Sequence, residues 1–206
     1  MEEPEHLTTE EITHRPAPKE DFWSFTAELI KTAVIISFLA YAIRIFILQP
    51  FVVEGLSMYP QFKTSDYLLV DKVSYRVSKP QRGDIVVFKY PGDPSINYVK
   101  RIIGLPGEKV HIENGRVSIL NTAHPSGELL AEPYVSAGNL TTTSTSPKAD
   151  YTVPDNNYFV LGDNRQASSD SREWGFLPND DMIGRVLIQA FPLNRLAVIT
   201  HTDYKE

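Results

Sequence analysis

"KVHIENGRVSIL", residues 109–120, holds the pattern that decides the fold. Apolar residues alternate on both sides of Asn114-Gly115, with Val110 and Ile112 before it and Val117 and Ile119 after it. A period of two places each pair on one face of an extended strand. Asn-Gly supplies the left-handed residues that a tight hairpin turn demands. The segment predicts a β-hairpin, with His111 as an exposed side chain upon it.

Working outward, "YLLVDKVSY" (67–75), "DIVVFKY" (84–90), "YVKRIIG" (98–104), "YFVLG" (158–162), "RVLIQAF" (185–191) and "RLAVIT" (195–200) are short Val/Ile/Tyr/Phe runs. Gly, Pro and Asp bound them, as they bound strands. No sustained helical period follows residue 49. The body therefore reads as mainly β, an antiparallel sheet domain over residues 49–206. Residues 136–150, "SAGNLTTTSTSPKAD", are small and polar and predict a surface loop.

Before this body the chain changes character. Residues 1–24 are polar, rich in Glu and broken by Pro4, Pro16 and Pro18, the composition of a disordered tail. Residues 25–48 read as one transmembrane helix. Its apolar part, Leu29–Leu48, would span roughly 30 Å at about 1.5 Å per residue, the thickness of a bilayer core. Lys31 and Arg44 lie near its ends, where long side chains reach the headgroups. No small-residue cleavage site follows, so the segment reads as an anchor and not as a removable leader. Arg15, Lys19 and Lys31 precede or open the span, and that excess of basic residues predicts a cytoplasmic tail and an extracytoplasmic body.

The net charge of −6 argues against nucleic acid as a partner. The chain has no cysteine, which excludes disulfides, thiolate metal sites and cysteine catalysis.

Three polar stretches interrupt the β pattern. "GLSMYP" (55–60) puts Ser57 in a turn just past the span. Within "YVKRIIG", alternation places Lys100 on the same face as Ile102. If that face is the core, desolvation lowers the lysine pKa. A neutral amine could then take a proton from a serine hydroxyl, whereas a lysine that snorkels to water could not. "GDNRQASSDSREWG" (162–175) alternates acids and arginines. Asp163, Asn164 and Asp170 could ligate a metal, but His6, His14, His111, His124 and His201 all lie away from them. The run reads better as mutually neutralising pairs, with no metal expected. No G-x-S-x-G elbow is present, so a lysine is the best available base for Ser57.

With these residues in hand, the chain resembles the bacterial type I signal peptidases of the single-span, Gram-positive-like kind. Four blocks occur in that family's order: "VEGLSMYPQF" (53–62), "RGDIVVF" (82–88), "YVKRIIGLPGE" (98–108) and "GDNRQASSDSREWG" (162–175). The resemblance implies a membrane-bound serine endopeptidase without cofactor, acting as a monomer on exported preproteins after an Ala-X-Ala-like site. It implies Ser57 as nucleophile, Lys100 as general base and Ser168 as the hydroxyl that orients the lysine. Arg101 with Asp163, and Asp170 with Arg172, match bracing pairs. Phe51, Val53, Met58, Phe62, Val87, Tyr98 and Val99 match the substrate pocket, and an apolar surface would rest on membrane lipid.

Two departures stand out. Where some members carry a serine hydroxyl that helps bind the oxyanion, this chain has Gly55. "PQF" (60–62) replaces the usual Pro-Thr-Leu. The competing reading is a membrane-anchored, non-catalytic β domain that binds peptides or cell-wall components, in which Ser57 and Lys100 are incidental.

Overall fold

A computed structural model describes residues 22–142, 148–202 and 204. The tail predicted over residues 1–24 falls almost wholly outside them, as do residues 143–147 of the predicted loop. The chain divides into two units, Met1–Tyr41 and Ala42–Glu206.

In the first unit the described chain is helical. Helix α1 runs Phe22–Phe46. Its segment Trp23–Tyr41 is long and apolar enough to cross a membrane, and none of that window is buried in the protein. Leu29, Ile30, Val34, Ile35, Phe38 and Leu39 all expose more than half their surface. A helix apolar all round, with no protein partner, is stable in lipid and not in water.

The second unit is built of antiparallel strands: β1 (Leu48–Val52), β2 (Tyr67–Asp71), β3 (Ile85–Tyr90), β4 (Asp93–Gly104), β5 (Lys109–Glu113), β6 (Arg116–Leu120), β7 (Glu128–Leu129), β8 (Lys148–Thr152), β9 (Asn157–Leu161), β10 (Leu177–Pro178), β11 (Met182–Phe191) and β12 (Ala197–Val198). Among the described residues they form an eight-stranded sheet, ordered β1-β2-β11-β3-β4-β9-β10 with β12 beside β11. A four-stranded sheet is ordered β7-β6-β5-β8. The mainly antiparallel β fold read from the sequence is the one observed.

The hairpin forms as its pattern dictates. β5 pairs with β6 in register from Lys109↔Leu120 to Glu113↔Arg116, turning at Asn114-Gly115. Val110, Ile112, Val117 and Ile119 face inward and pack on Ile103, Phe159 and Leu161 of the larger sheet.

Some expected runs end early. "YLLVDKVSY" is a strand only to Asp71, whose Oδ1 accepts Val73 N–H at 2.7 Å and Ser74 N–H at 3.1 Å. Those two bonds turn the backbone into a short helical turn, Ser74–Val77. "RLAVIT" yields only Ala197–Val198, after a 3₁₀ turn over Leu193–Arg195. The stretch read as loop over 136–150 ends in β8, whose polar sequence hides a strand pairing β5 from Glu113↔Lys148 to Lys109↔Thr152.

Two further apolar clusters flank the middle of the large sheet. One gathers Val53, Met58, Phe62, Leu68, Val70, Ile85, Val87 and Val186. The other gathers Val86, Phe88, Ile102, Tyr158, Val160 and Leu177. Strand β4 lies between them, paired with β3 on one side and β9 on the other. From Lys100 onward every one of its residues is buried.

Candidate active site

Strand β4 carries the two cations of the site on opposite faces. Lys100 is opposite Val86, and Arg101 is opposite Ile85 and Leu161. Lys100 therefore shares its face with Tyr98 and Ile102, as alternation predicts. It is 3% exposed. Its Nζ lies 2.9 Å from Ser57 Oγ, donates to the Val99 carbonyl at 3.1 Å and sits 4.8 Å from the Tyr98 ring centre. Burial pushes the amine down from 10.5 to about 8, against the opposing pull of the Asp170 and Asp163 carboxylates. At pH 7 roughly one such lysine in ten is neutral, against about one in 2,500 for an unperturbed one.

Ser57 reaches this amine from the turn after β1. The turn is held to the 162–167 segment by Asn164, whose N–H donates to Ser57 O at 2.9 Å and whose Nδ2 donates to Leu56 O at 3.0 Å. Close approach here requires a residue without a side chain. A Cβ on Gly162 would overlap Ser168 Oγ and lie 2.5 Å from Ser57 O. Gly162 thus lets Ser168 and the Ser57 backbone face each other across it. Ser168 Oγ is buried and has no hydrogen-bond partner among the described residues. The expected bond from Ser168 to Lys100 is not among those formed.

Both expected ion pairs form. Arg101 is bidentate to Asp163, Nε to Oδ1 at 2.8 Å and Nη2 to Oδ2 at 2.7 Å. Arg172 is bidentate to Asp170, with both bonds at 2.7 Å. Both carboxylates are wholly buried. A buried carboxylate needs such a fork, because its desolvation is otherwise uncompensated. Each of these two acids is engaged by an arginine. Among the described residues no three His, Cys, Asp or Glu side chains come together.

An open cleft of about 510 Å³ runs beside Ser57 and Lys100, between the Phe51–Ser57 segment and Ser95–Lys100 of β4. Of the residues named from the sequence for a pocket, Phe51, Val53, Val87, Tyr98 and Val99 line it. Met58 and Phe62 do not. They are 1% and 0% exposed and lie within the core cluster that also holds Val53 and Val87. The departure at "PQF" therefore bears on the packing beneath the cleft, not on its wall.

Three groups escaped the sequence reading. Arg165 is buried and forks onto Glu132, at 2.5 and 3.1 Å, while also bonding Thr141 Oγ1 and Gly162 O. Tyr134 lies beneath the Arg101 guanidinium at 3.9 Å. Asn164 holds the Ser57 turn. Glu132 and Tyr134 come from "EPYV" (132–135), remote in sequence from the acid–arginine run, and nothing in the run itself names them as partners.

The arrangement defines a class first: a serine hydroxyl within hydrogen-bond distance of a desolvated amine, beside a shallow apolar cleft, can serve acyl transfer. Comparison with known proteins is more specific. The family described as "Signal peptidase, peptidase S26" matches residues 26–191. Signal peptidase I of Leptolyngbya laminosa is 39% identical, over 87% of this chain and 85% of its own length. Signal peptidase I T of Bacillus subtilis is 38% identical, over 81% and 86%. A crystal structure of a signal peptidase I from Enterococcus faecalis V583 is 35% identical and covers 53% of this chain and 97% of its own, with a TM-score of 0.42. The chain belongs to the signal peptidase family, peptidase S26, and within it to the bacterial type I serine peptidases that remove signal peptides.

Proposed function

We propose that this chain cuts exported preproteins after an Ala-X-Ala-like site, with Ser57 as nucleophile and neutral Lys100 as general base. The observation that carries the reading is the 2.9 Å approach of a buried, pKa-depressed amine to Ser57 Oγ. Ser57 Oγ attacks the scissile carbonyl carbon while its proton passes to Lys100 Nζ. The tetrahedral intermediate collapses with C–N cleavage, and Lys100 returns the proton to the leaving amine. Water then attacks the acyl-serine ester, losing its proton to Lys100; the C–Oγ bond breaks, Lys100 returns that proton to Ser57 Oγ, and the carboxyl product leaves.

A neutral amine that takes the Ser57 proton still has two N–H groups to place. Val99 O accepts one, and the unpartnered Ser168 hydroxyl is the natural acceptor for the other. The Arg101–Asp163 and Asp170–Arg172 pairs hold the Gly162–Arg172 segment around this triangle.

The extended substrate lies in the cleft as an added strand, with alternate side chains facing the wall of Val53, Val87 and Val99. Such a wall admits alanine and rejects larger residues by overlap. Helix α1 and the family together fit a membrane-anchored protein. We place its single span in the cell membrane, with the catalytic domain of a monomer on the extracytoplasmic side, resting on lipid.

The test is cleavage of a preprotein by the full-length protein in detergent, with the cut located by mass spectrometry. A cut after the last alanine of Ala-X-Ala, lost in both Ser57→Ala and Lys100→Ala, is expected. A folded wild type that binds the preprotein without cutting it would favour the non-catalytic binding domain.

A further inference from the structure

Two features of the sequence have no role in the dyad chemistry. One is Gly55, where a second oxyanion donor could have been, and the other is the polar stretch after residue 136. The structure connects them. Ser57 N–H donates to no group among the described residues. It belongs to the Leu56–Ser57 peptide, and in a planar trans peptide the N–H points opposite to the C=O. Whatever fixes the Leu56 carbonyl therefore aims the Ser57 N–H.

Two donors fix that carbonyl. Tyr59 N–H reaches Leu56 O at 3.1 Å, within the turn itself. Asn164 Nδ2 reaches it at 3.0 Å from a segment more than a hundred residues away. The Asn164 amide must present its nitrogen there, because the carbonyl can only accept. Its orientation is set from the other side: Asn139 Nδ2 donates to Asn164 Oδ1 at 3.1 Å. Asn139 is oriented in turn, since its Oδ1 accepts the Gln166 N–H at 3.1 Å. Every link runs in one direction, from Gln166 N–H through Asn139 and Asn164 to Leu56 C=O, and then to the free Ser57 N–H. Aligned amides polarise one another in the same sense, which makes the terminal N–H a stronger donor.

Gly55 fits the same scheme. Its φ of +92° lets the chain turn so that both carbonyls flanking the Ser57 amide reach Asn164. A side chain there would meet no atom within 4 Å, so the backbone conformation, not space, selects glycine.

We propose that Asn164 and Asn139 are positioning residues that aim the Ser57 N–H at the oxyanion of the tetrahedral intermediate, in place of a second side-chain donor near Gly55. The inference rests on Ser57 being the nucleophile. Asn139 then gives the stretch after residue 136 its function: it is the outer brace of the oxyanion site.

The test compares full-length wild type, Asn164→Ala, Asn164→Asp, Asn139→Ala and Ser57→Ala in detergent, on one Ala-X-Ala preprotein. Losing a whole oxyanion donor costs roughly 10²–10³ in kcat, and misaiming one should cost about ten- to a hundred-fold. The expected result is that loss in kcat for Asn164→Ala with KM little changed. Asn164→Asp, which keeps the shape but cannot donate, should lose as much, and Asn139→Ala should lose less. A peptide aldehyde ending in alaninal, whose hemiacetal with Ser57 puts its oxygen where the oxyanion forms, should weaken in proportion to kcat. The uncleavable peptide alcohol should bind as before, and the acid limb of the pH profile should stay in place.

Wild-type kcat in both Asn164 variants, with Ser57→Ala inactive, would overturn this inference alone. So would an equal loss of aldehyde and alcohol binding, or a fall in kcat matched by a fall in the thermal midpoint of every variant. Cleavage by Ser57→Ala at the wild-type rate would overturn the nucleophile assignment and this inference with it.

Discussion

The two sheets of the catalytic unit use burial in opposite ways. The four-stranded sheet buries Val110, Ile112, Val117 and Ile119 and keeps its charges outside, as in the exposed His111–Asp150 contact at 2.6 Å. The eight-stranded sheet buries Lys100 and Arg101 on β4, with Asp163, Arg165 and Asp170 in the segment after β9. Each buried charge there has an answering group, and Lys100 is the one whose answer is a neutral hydroxyl. The contrast teaches where chemistry sits. Apolar burial stabilises the first sheet, whereas the second accepts costly desolvation because it leaves an amine at about 8.

Substitution can break this comparison at four levels. The largest effect is expected at the proposed Ser57–Lys100 dyad. Ser57→Ala or Lys100→Ala should lower kcat/KM by about four orders of magnitude or more, as for other serine-hydrolase centres, with the fold intact by circular dichroism. Next comes the bracing pair. Asp163→Ala strands a buried guanidinium and should cost about 3–5 kcal/mol in denaturant unfolding of the domain, with activity lost as the segment loosens. Ile112→Ala, in the apolar sheet, should cost about 2–4 kcal/mol, yet leave kcat per folded molecule unchanged. The smallest effect belongs to His111→Ala, which should move stability by about 0.5 kcal/mol or less and leave cleavage untouched. If Ile112→Ala changed kcat as much as Asp163→Ala does, the division between the two sheets would not hold.

Legibility in the sequence follows the same division. The hairpin is readable because its signal is local: alternation and Asn-Gly within a dozen residues. Lys100 is readable for the same reason, as a charge out of place in an apolar strand. Strand β8 is not, because "KADYT" is an edge strand with little apolar pattern of its own, and its pairing comes from β5. Arg165 to Glu132 and Asn139 to Asn164 are bonds between segments remote in sequence, and nothing in either segment names its partner. The family resemblance implies that Met58 and Phe62 line the cleft, but the turn carries their side chains under it, into the core. Local periodicity reveals strands and misplaced charges. Which loops meet over Ser57 is settled only by the packed fold.

Lys100 is proposed to act as a neutral base because the sheet desolvates it. The most direct test of this is the pH dependence of kcat/KM for the full-length protein in detergent, from pH 5 to 10. Because burial lowers the lysine pKa and the reactive form is the deprotonated one, activity should fall as pH drops through the folded-state value. An acid limb falling tenfold per pH unit, with an apparent pKa of about 8, is expected. A profile flat across that range, or a limb centred near the ordinary lysine value, would contradict it.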